Sequence, residues 1–308
     1  MQGDSRRRRW ASRCACILGA AALLAGVWLP GGCRGPSLDA GASSRTDEVT
    51  VFAAASLTNV FQQAARSYGE GGHRGNVVFN FAGSQQLAGQ LREGARADIF
   101  ASADEAQMQA AIAAGRVKPG DVKTLACNRL EFGYGHSAPF SDDVDGPSAL
   151  ELLQKLARPG LKIVVGAEAV PVGRYTRQFL ANAAEDERLG VGFRDGFEAN
   201  IVSEEQNVRG VLSKLQLGEA DAGVVYASDL IGITDLQRIE IPARLNITAT
   251  YPIALVQGVK QPEQAAAFIA WLFSEEGAAV LERHGFATQC RADGATPAPA
   301  RASDHANE

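Results

Sequence analysis

Two rhythms alternate along the chain. Short apolar runs with a period of two are followed by stretches with apolar residues three and four apart, the signatures of strand and amphipathic helix. The first run, EVTVFAA at residues 48–54, predicts a strand, and 57–68 predicts a helix. Strand 77–81 (VVFNF), helix 85–93, strand 97–101 (ADIFA) and helix 105–114 continue the series. Beyond them the pattern predicts a strand at 130–134, a helix at 148–156, a strand at 162–166 (KIVVG) and helices at 173–182 and 208–217. Strands at 222–226 (AGVVY) and 251–256 follow, and two helices within 262–284 close the series. Strand and helix in turn imply an α/β fold, with a mostly parallel sheet flanked by helices.

The ends of the chain read differently. Arg6, Arg7, Arg8 and Arg9 precede an apolar run at 14–29 that is too short for a default membrane span. A basic cluster, a short apolar core and small residues afterwards predict a signal peptide over 1–32. The sequence Leu29-Pro30-Gly31-Gly32-Cys33 resembles a bacterial lipobox, with Pro30 in the usual place of Leu, and marks Cys33 for lipidation. Residues 33–46 read as a Gly/Ser/Ala tether and 291–308, with ATPAPARAS, as a disordered tail.

Charge narrows the partners. The chain has 30 basic and 35 acidic side chains, net −5; removing 1–32 leaves 25 against 34, or −9. So acidic an exported chain lacks the basic footprint of a nucleic-acid binder. After Cys33, two cysteines remain, Cys127 and Cys290, which either pair in an oxidising compartment or stay as buried thiols.

No enzyme is expected. No serine lies in a G-x-S-x-G elbow, no Gly-rich segment has a Walker or dinucleotide pattern, and His73, His136, His284 and His305 lack metal-ligand spacing. Asp98, Asp104, Asp221 and Asp229 fall in two echoing segments, GARADIFASAD (94–104) and GEADAGVVYASD (218–229). Their places suggest turn and cap roles, and the echo suggests either two similar α/β lobes or a coincidence of turn chemistry.

The helix starts carry the chemistry. Ala53-Ala54-Ala55-Ser56, Ala82-Gly83-Ser84, Pro171-Val172-Gly173 and Glu205-Gln206-Asn207-Val208 each open a predicted helix. In an open α/β sheet such starts gather at one edge, where ligands bind. Their free N–H groups and partial positive charge suit an oxyanion without any lysine or arginine. The plainer alternative is that Ser56 and Ser84 are N-caps.

At this point the segments VTVFAAASLTNVF (49–61), VVFNFAGSQQLAGQL (77–91), GARADIFASAD, VPVGRYTRQFL (170–180), NVRGVLSKLQLGEADAGVVYASD (207–229) and YPIALV (251–256) resemble the molybdate-binding proteins of bacterial ABC transporters. The resemblance runs in order from about residue 49 to 286. It implies a two-lobed periplasmic binding protein-like fold of type II: 47–127 plus 250–290 in lobe I, 128–249 in lobe II, and a ligand cleft between them. Carried over position by position, it implies ligand donors at Ser56, Ser84, Val172, Val208 and Tyr226. The two serines and the tyrosine would act through hydroxyls, Ser84 adding its own N–H, and the two valines through backbone N–H. The family often has a second serine where Gly83 stands.

The resemblance further implies a monomeric, extracytoplasmic receptor that captures molybdate or tungstate and delivers it to the membrane permease of an ABC importer. No cofactor and no cation ligand is expected, since the metal arrives as an oxyanion. A receptor for another tetrahedral oxyanion such as sulfate, or a non-transport sensor of the same fold, is the alternative.

Overall fold

The computed structural model of the chain describes residues 48–73, 75–140 and 148–290. The expected signal peptide, tether, Cys33 and C-terminal tail lie outside them. In chain order the elements are β1 (Glu48–Ala54), α1 (Thr58–Glu70), β2 (Asn76–Ala82), α2 (Ser84–Arg92), β3 (Ile99–Ala101), α3 (Glu105–Ala113) and β4 (Lys123–Gly135). Then follow α4 (Ala149–Leu156), β5 (Ile163–Gly166), α5 (Pro171–Glu185), α6 (Gly190–Ala199), β6 (Ile201–Glu205), α7 (Val208–Gln216) and β7 (Ala222–Tyr226). The last are β8 (Leu236–Glu240), β9 (Thr248–Leu255), α8 (Pro262–Leu272) and α9 (Glu275–Arg283).

The strands form two half-sheets with the same plan. One runs β2-β1-β3-β9 and ends on the first part of β4; the other runs β6-β5-β7 and ends on the second part of β4, which also pairs β8. The outer three strands of each half are parallel, as the alternation predicts. Antiparallel β9 and β4 then close them, so four of the eight pairings are parallel and four antiparallel. The strand β4 is common to both: Lys123–Arg129 pairs with β9, and Leu130–Tyr134 pairs with β7. It is longer than the 130–134 run predicts. Three elements, α6, β6 and β8, have no counterpart in the apolar rhythm.

The echoing segments are structurally equivalent. Asp98 donates its N–H to the Thr50 carbonyl at 2.8 Å and accepts the Thr50 N–H on Oδ2 at 2.8 Å. Asp221 repeats both bonds with Lys162, at 2.8 and 2.7 Å. Each carboxylate thus fixes the start of a middle strand against its parallel neighbour, β1 against β3 and β5 against β7.

Burial follows the period-two pattern. Along β1, Val49, Val51 and Ala53 join the large core while Phe52 faces a second cluster with Leu87, Leu91, Phe100 and Met108 under α2 and α3. Cys127 and Cys290 form a disulfide with Cα atoms 5.6 Å apart, beside a bridge between Cys127 and Ala287. No helix among the described residues is long and apolar enough to cross a membrane.

Candidate functional site

Six strands, β1, β2, β3, β5, β6 and β7, run out at one edge, and the turns that follow them enclose a small cavity. Its lining comprises Ala54, Ala55, Ser56, Gly83, Ser84, Ala103, Val170, Pro171, Val172, Asn207, Val208 and Tyr226. All five residues singled out from the sequence, Ser56, Ser84, Val172, Val208 and Tyr226, meet there. About 210 Å³ of empty space, part of it open to solvent, lies among these residues, less than the ~300–1,000 Å³ of pockets that hold drug-sized ligands. A site this small leaves no room for an extended organic molecule.

Neither serine is a cap. Ser56 lies inside a 3₁₀ turn over Ala55–Leu57, and Ser84 is the first residue of α2 behind Gly83; neither serine side chain caps a helix, and at α2 it is Gln86 Oε1 that accepts the Gly83 N–H, at 3.1 Å. Asp104, Asn207 and Ser274, by contrast, each accept the N–H three residues on. What engages the two serine oxygens instead is a donor from elsewhere. The Tyr251 hydroxyl donates to Ser56 Oγ at 3.0 Å, and the Ala103 N–H donates to Ser84 Oγ at 3.0 Å. Both serines are buried. With a lone pair already used by an incoming donor, each keeps its own O–H proton to give, and each borders the cavity. Burial holds the Tyr251 phenol well above its usual range, so Tyr251 stays a donor.

Tyr226 completes the set. It is 1% exposed, and its phenol oxygen is buried without a hydrogen-bond partner among the described residues. An unmade buried hydroxyl bond costs roughly 1–3 kcal/mol, which is recovered when an acceptor fills the cavity. Burial, followed by the neighbouring Tyr251, pushes this phenol well above its usual range. It is therefore a donor and not a base.

The two valines act through main chain. Val172 is the second residue of α5, after Pro171 at the first, the position that proline favours. A Cβ on Gly173 would lie 2.1 Å from the Ala167 carbonyl oxygen, and one on Gly166 would lie 2.6 Å from Val172 Cγ1. The two glycines let the helix start sit directly on the end of β5. Val208 opens α7 behind Asn207, whose side chain accepts the Gly210 N–H at 3.1 Å. First-turn N–H groups such as those of Val172 and Val208 have no carbonyl within their own helix.

The lining contains no lysine, arginine or carboxylate. Two arginines stand just outside it, each paired. Arg174 on α5 gives Nε and Nη2 to Asp104 Oδ2 at 3.2 and 2.6 Å. Arg209 on α7 gives Nε to the Ala55 carbonyl at 3.3 Å and lies 3.6 Å from Asp229 Oδ1. Sequence patterns alone left these links unseen, along with the Tyr251–Ser56 and Ala103–Ser84 bonds, because each joins residues far apart in the chain. Asp104 and Asp229 keep the cap and turn roles expected of them: Asp229 Oδ2 accepts the Tyr226 N–H at 3.1 Å. No cluster of metal-ligating side chains occurs among the described residues.

Asp229 gives the fold a pH dependence. Burial pushes its carboxyl up from 3.8 to about 6, against the lowering pull of Arg209 and of the Tyr226 N–H. The native state therefore holds this proton more tightly than the unfolded chain. The contribution is full below pH ~3.8 and is lost as pH rises through ~6. Relative to Asp229→Asn, the parent chain is expected to lose roughly 2–3 kcal/mol of stability between about pH 3.5 and 7. Urea midpoints of both chains across that range test this, and parallel curves contradict it.

Comparison with known proteins places this geometry. The sequence profile described as bacterial extracellular solute-binding protein matches residues 49–287. The chain is 35% identical over 268 residues to the molybdate-binding protein ModA of Mycobacterium tuberculosis, covering 87% of this chain and 95% of that one. A solved substrate-binding domain of a putative molybdenum ABC transporter from Clostridium difficile is 26% identical, with a TM-score of 0.58 over 79% of this chain and 99% of that one. The sulfate-binding protein SubI of Mycobacterium tuberculosis, at 16% identity, shares the fold alone, with a TM-score of 0.68 over 82% of this chain and 92% of that one.

Proposed function

Since this chain belongs to the bacterial extracellular solute-binding proteins, among the molybdate-binding members of that family, we propose that it captures molybdate in the cavity beneath Ser56, Ser84, Val172, Val208 and Tyr226. The observation that carries the reading is the donor-only lining: three hydroxyls with protons to give, two helix-start N–H groups, and no carboxylate.

Molybdate is a fully ionised dianion above about neutral pH and presents acceptors only, so a lining of neutral donors complements it. Hydrogen phosphate keeps a proton that needs an acceptor; leaving it unpaired costs ~1–3 kcal/mol. Sulfate is also acceptor-only, with shorter oxo bonds, and is separated by cavity size. Tungstate, nearly the size of molybdate, binds comparably.

The remaining roles follow from this reading. The first half, 47–127 with 250–290, and the second, 128–249, act as lobes that close on the anion. The loaded protein docks on the membrane permease of an ABC importer. It works as an exported monomer at the outer face of the cytoplasmic membrane, anchored through Cys33, with no cofactor and no catalytic step.

Calorimetric titration of the purified chain with molybdate, tungstate, sulfate and phosphate tests the proposal. Submicromolar binding of the first two, with sulfate far weaker and phosphate weaker still, is the expected result. Equal or tighter sulfate binding moves the assignment to a sulfate receptor, and no binding overturns it. Because the lining is uncharged, affinity is expected to change less than about threefold on adding ~0.5 M NaCl. A steep loss would show that a cation such as Arg174 or Arg209 reaches the anion.

A further inference from the structure

Gly83 borders the cavity, yet its backbone does not need glycine. Its φ of −60° and ψ of 137° are open to any residue. The need is for space. A Cβ at this position would lie 2.5 Å from the Gln206 carbonyl oxygen, and 2.5 and 2.6 Å from the Gln85 side-chain amide atoms. Gln206 belongs to the other half of the molecule, on the segment leading into α7. Its carbonyl also accepts the Gln85 Nε2 hydrogen bond at 2.8 Å. The other amide atom, Gln85 Oε1, is buried without a partner among the described residues, so this one bond holds the amide in place. One carbonyl from across the cleft therefore rests on a bare Cα and is fastened there by the neighbouring glutamine.

Two residues beyond that carbonyl is Val208, and one residue beyond Gly83 is Ser84, both in the cavity wall. The distance between Gly83 and Gln206 therefore sets how closely two of the donor groups approach each other. We propose that Gly83 is a specificity-determining residue: its missing side chain, with the Gln85 bond, fixes the closed width of the cavity and so the size of oxyanion it grips. The proposal rests on the oxyanion-receptor reading above. A Cβ at position 83 needs roughly 1 Å more room before its contact with Gln206 is ordinary. A cavity held open by that amount loses grip on every anion, and most on the smallest.

The test measures molybdate affinity by calorimetry and sulfate affinity by competition, for the parent chain, Gly83→Ala and Gln85→Ala. Gly83→Ala is expected to weaken molybdate at least tenfold and sulfate at least threefold more than that, widening the ratio between them. Gln85→Ala, which removes the bond and adds no bulk, is expected to weaken both anions by one common factor. The Gln206 carbonyl lies across the cleft, and the Gln85 amide can turn away once its bond to that carbonyl is released, so the thermal midpoint of ligand-free Gly83→Ala should stay close to the parent's, which shows that the variant is folded. Parent-like affinity in Gly83→Ala overturns the proposal, and so does an equal loss for both anions. If the parent chain binds neither anion, the receptor reading itself fails and this inference falls with it.

Discussion

Tyr226→Phe is expected to weaken molybdate binding by about 10- to 100-fold while leaving the ligand-free protein as stable as before, or slightly more so. The two directions have one cause. The phenol hydroxyl is buried and bonds no described residue, so deleting it breaks no hydrogen bond within the fold and spares a desolvation cost of roughly 1–3 kcal/mol. In the bound state the same hydroxyl donates to an anion, a bond typically contributing ~1.5–3 kcal/mol. The ring keeps its edge-on contact with Tyr251 at a centroid distance of 5.9 Å, so packing is preserved. Calorimetry gives the affinity and thermal unfolding the stability. Parent-like affinity would remove the phenol from the ligand set, and a large drop in melting temperature would show that it serves the fold instead.

Reducing the Cys127–Cys290 disulfide is expected to cost about 2–5 kcal/mol of stability, the usual range for a native bridge in an exported domain. The bond joins residues 163 apart, so it constrains a large part of the unfolded chain. On the native side it holds the segment after α9 against β4, beside reciprocal backbone bonds between Cys127 and Ala287 at 2.7 and 2.9 Å. Urea unfolding with and without a reductant, and of a Cys127→Ala/Cys290→Ala double variant, measures the effect. Coincident midpoints would mean that packing alone holds the C-terminal segment.

Much of this architecture was legible in the sequence because its strands are short and strongly apolar and its helices amphipathic. The elements that escaped notice are those where that contrast fails. In β6 (IVSEE) and β8 (LQRIE) polar residues are frequent, and both lie at margins of the second half-sheet. In α6 three glycines dilute the helical signal. The first part of β4 (KTLACNR) mixes charge with apolar residues and gives no clean run. The site was legible as a set of junctions, since small residues before a helix start mark close backbone approach. Its wiring was not. That Tyr251 feeds Ser56, or that Arg174 meets Asp104 seventy residues away, depends on which strand ends lie side by side. That order is set by tertiary pairing and is absent from local pattern.

The order of strands also governs when the protein can fold. The first half-sheet, β2-β1-β3, is completed by β9, and β4 gains its partner there only from the same strand. A chain emerging from its amino terminus has therefore made β1 to β3 and β4 long before Thr248–Leu255 arrives to join them. Closing so distant a pairing is slow in a growing polypeptide, and until it closes the exposed strand edges remain adhesive. The topology delays maturation until most of the polypeptide has been delivered. It keeps the nascent chain pliable during its synthesis and leaves it dependent, for that interval, on whatever shields unfinished edges.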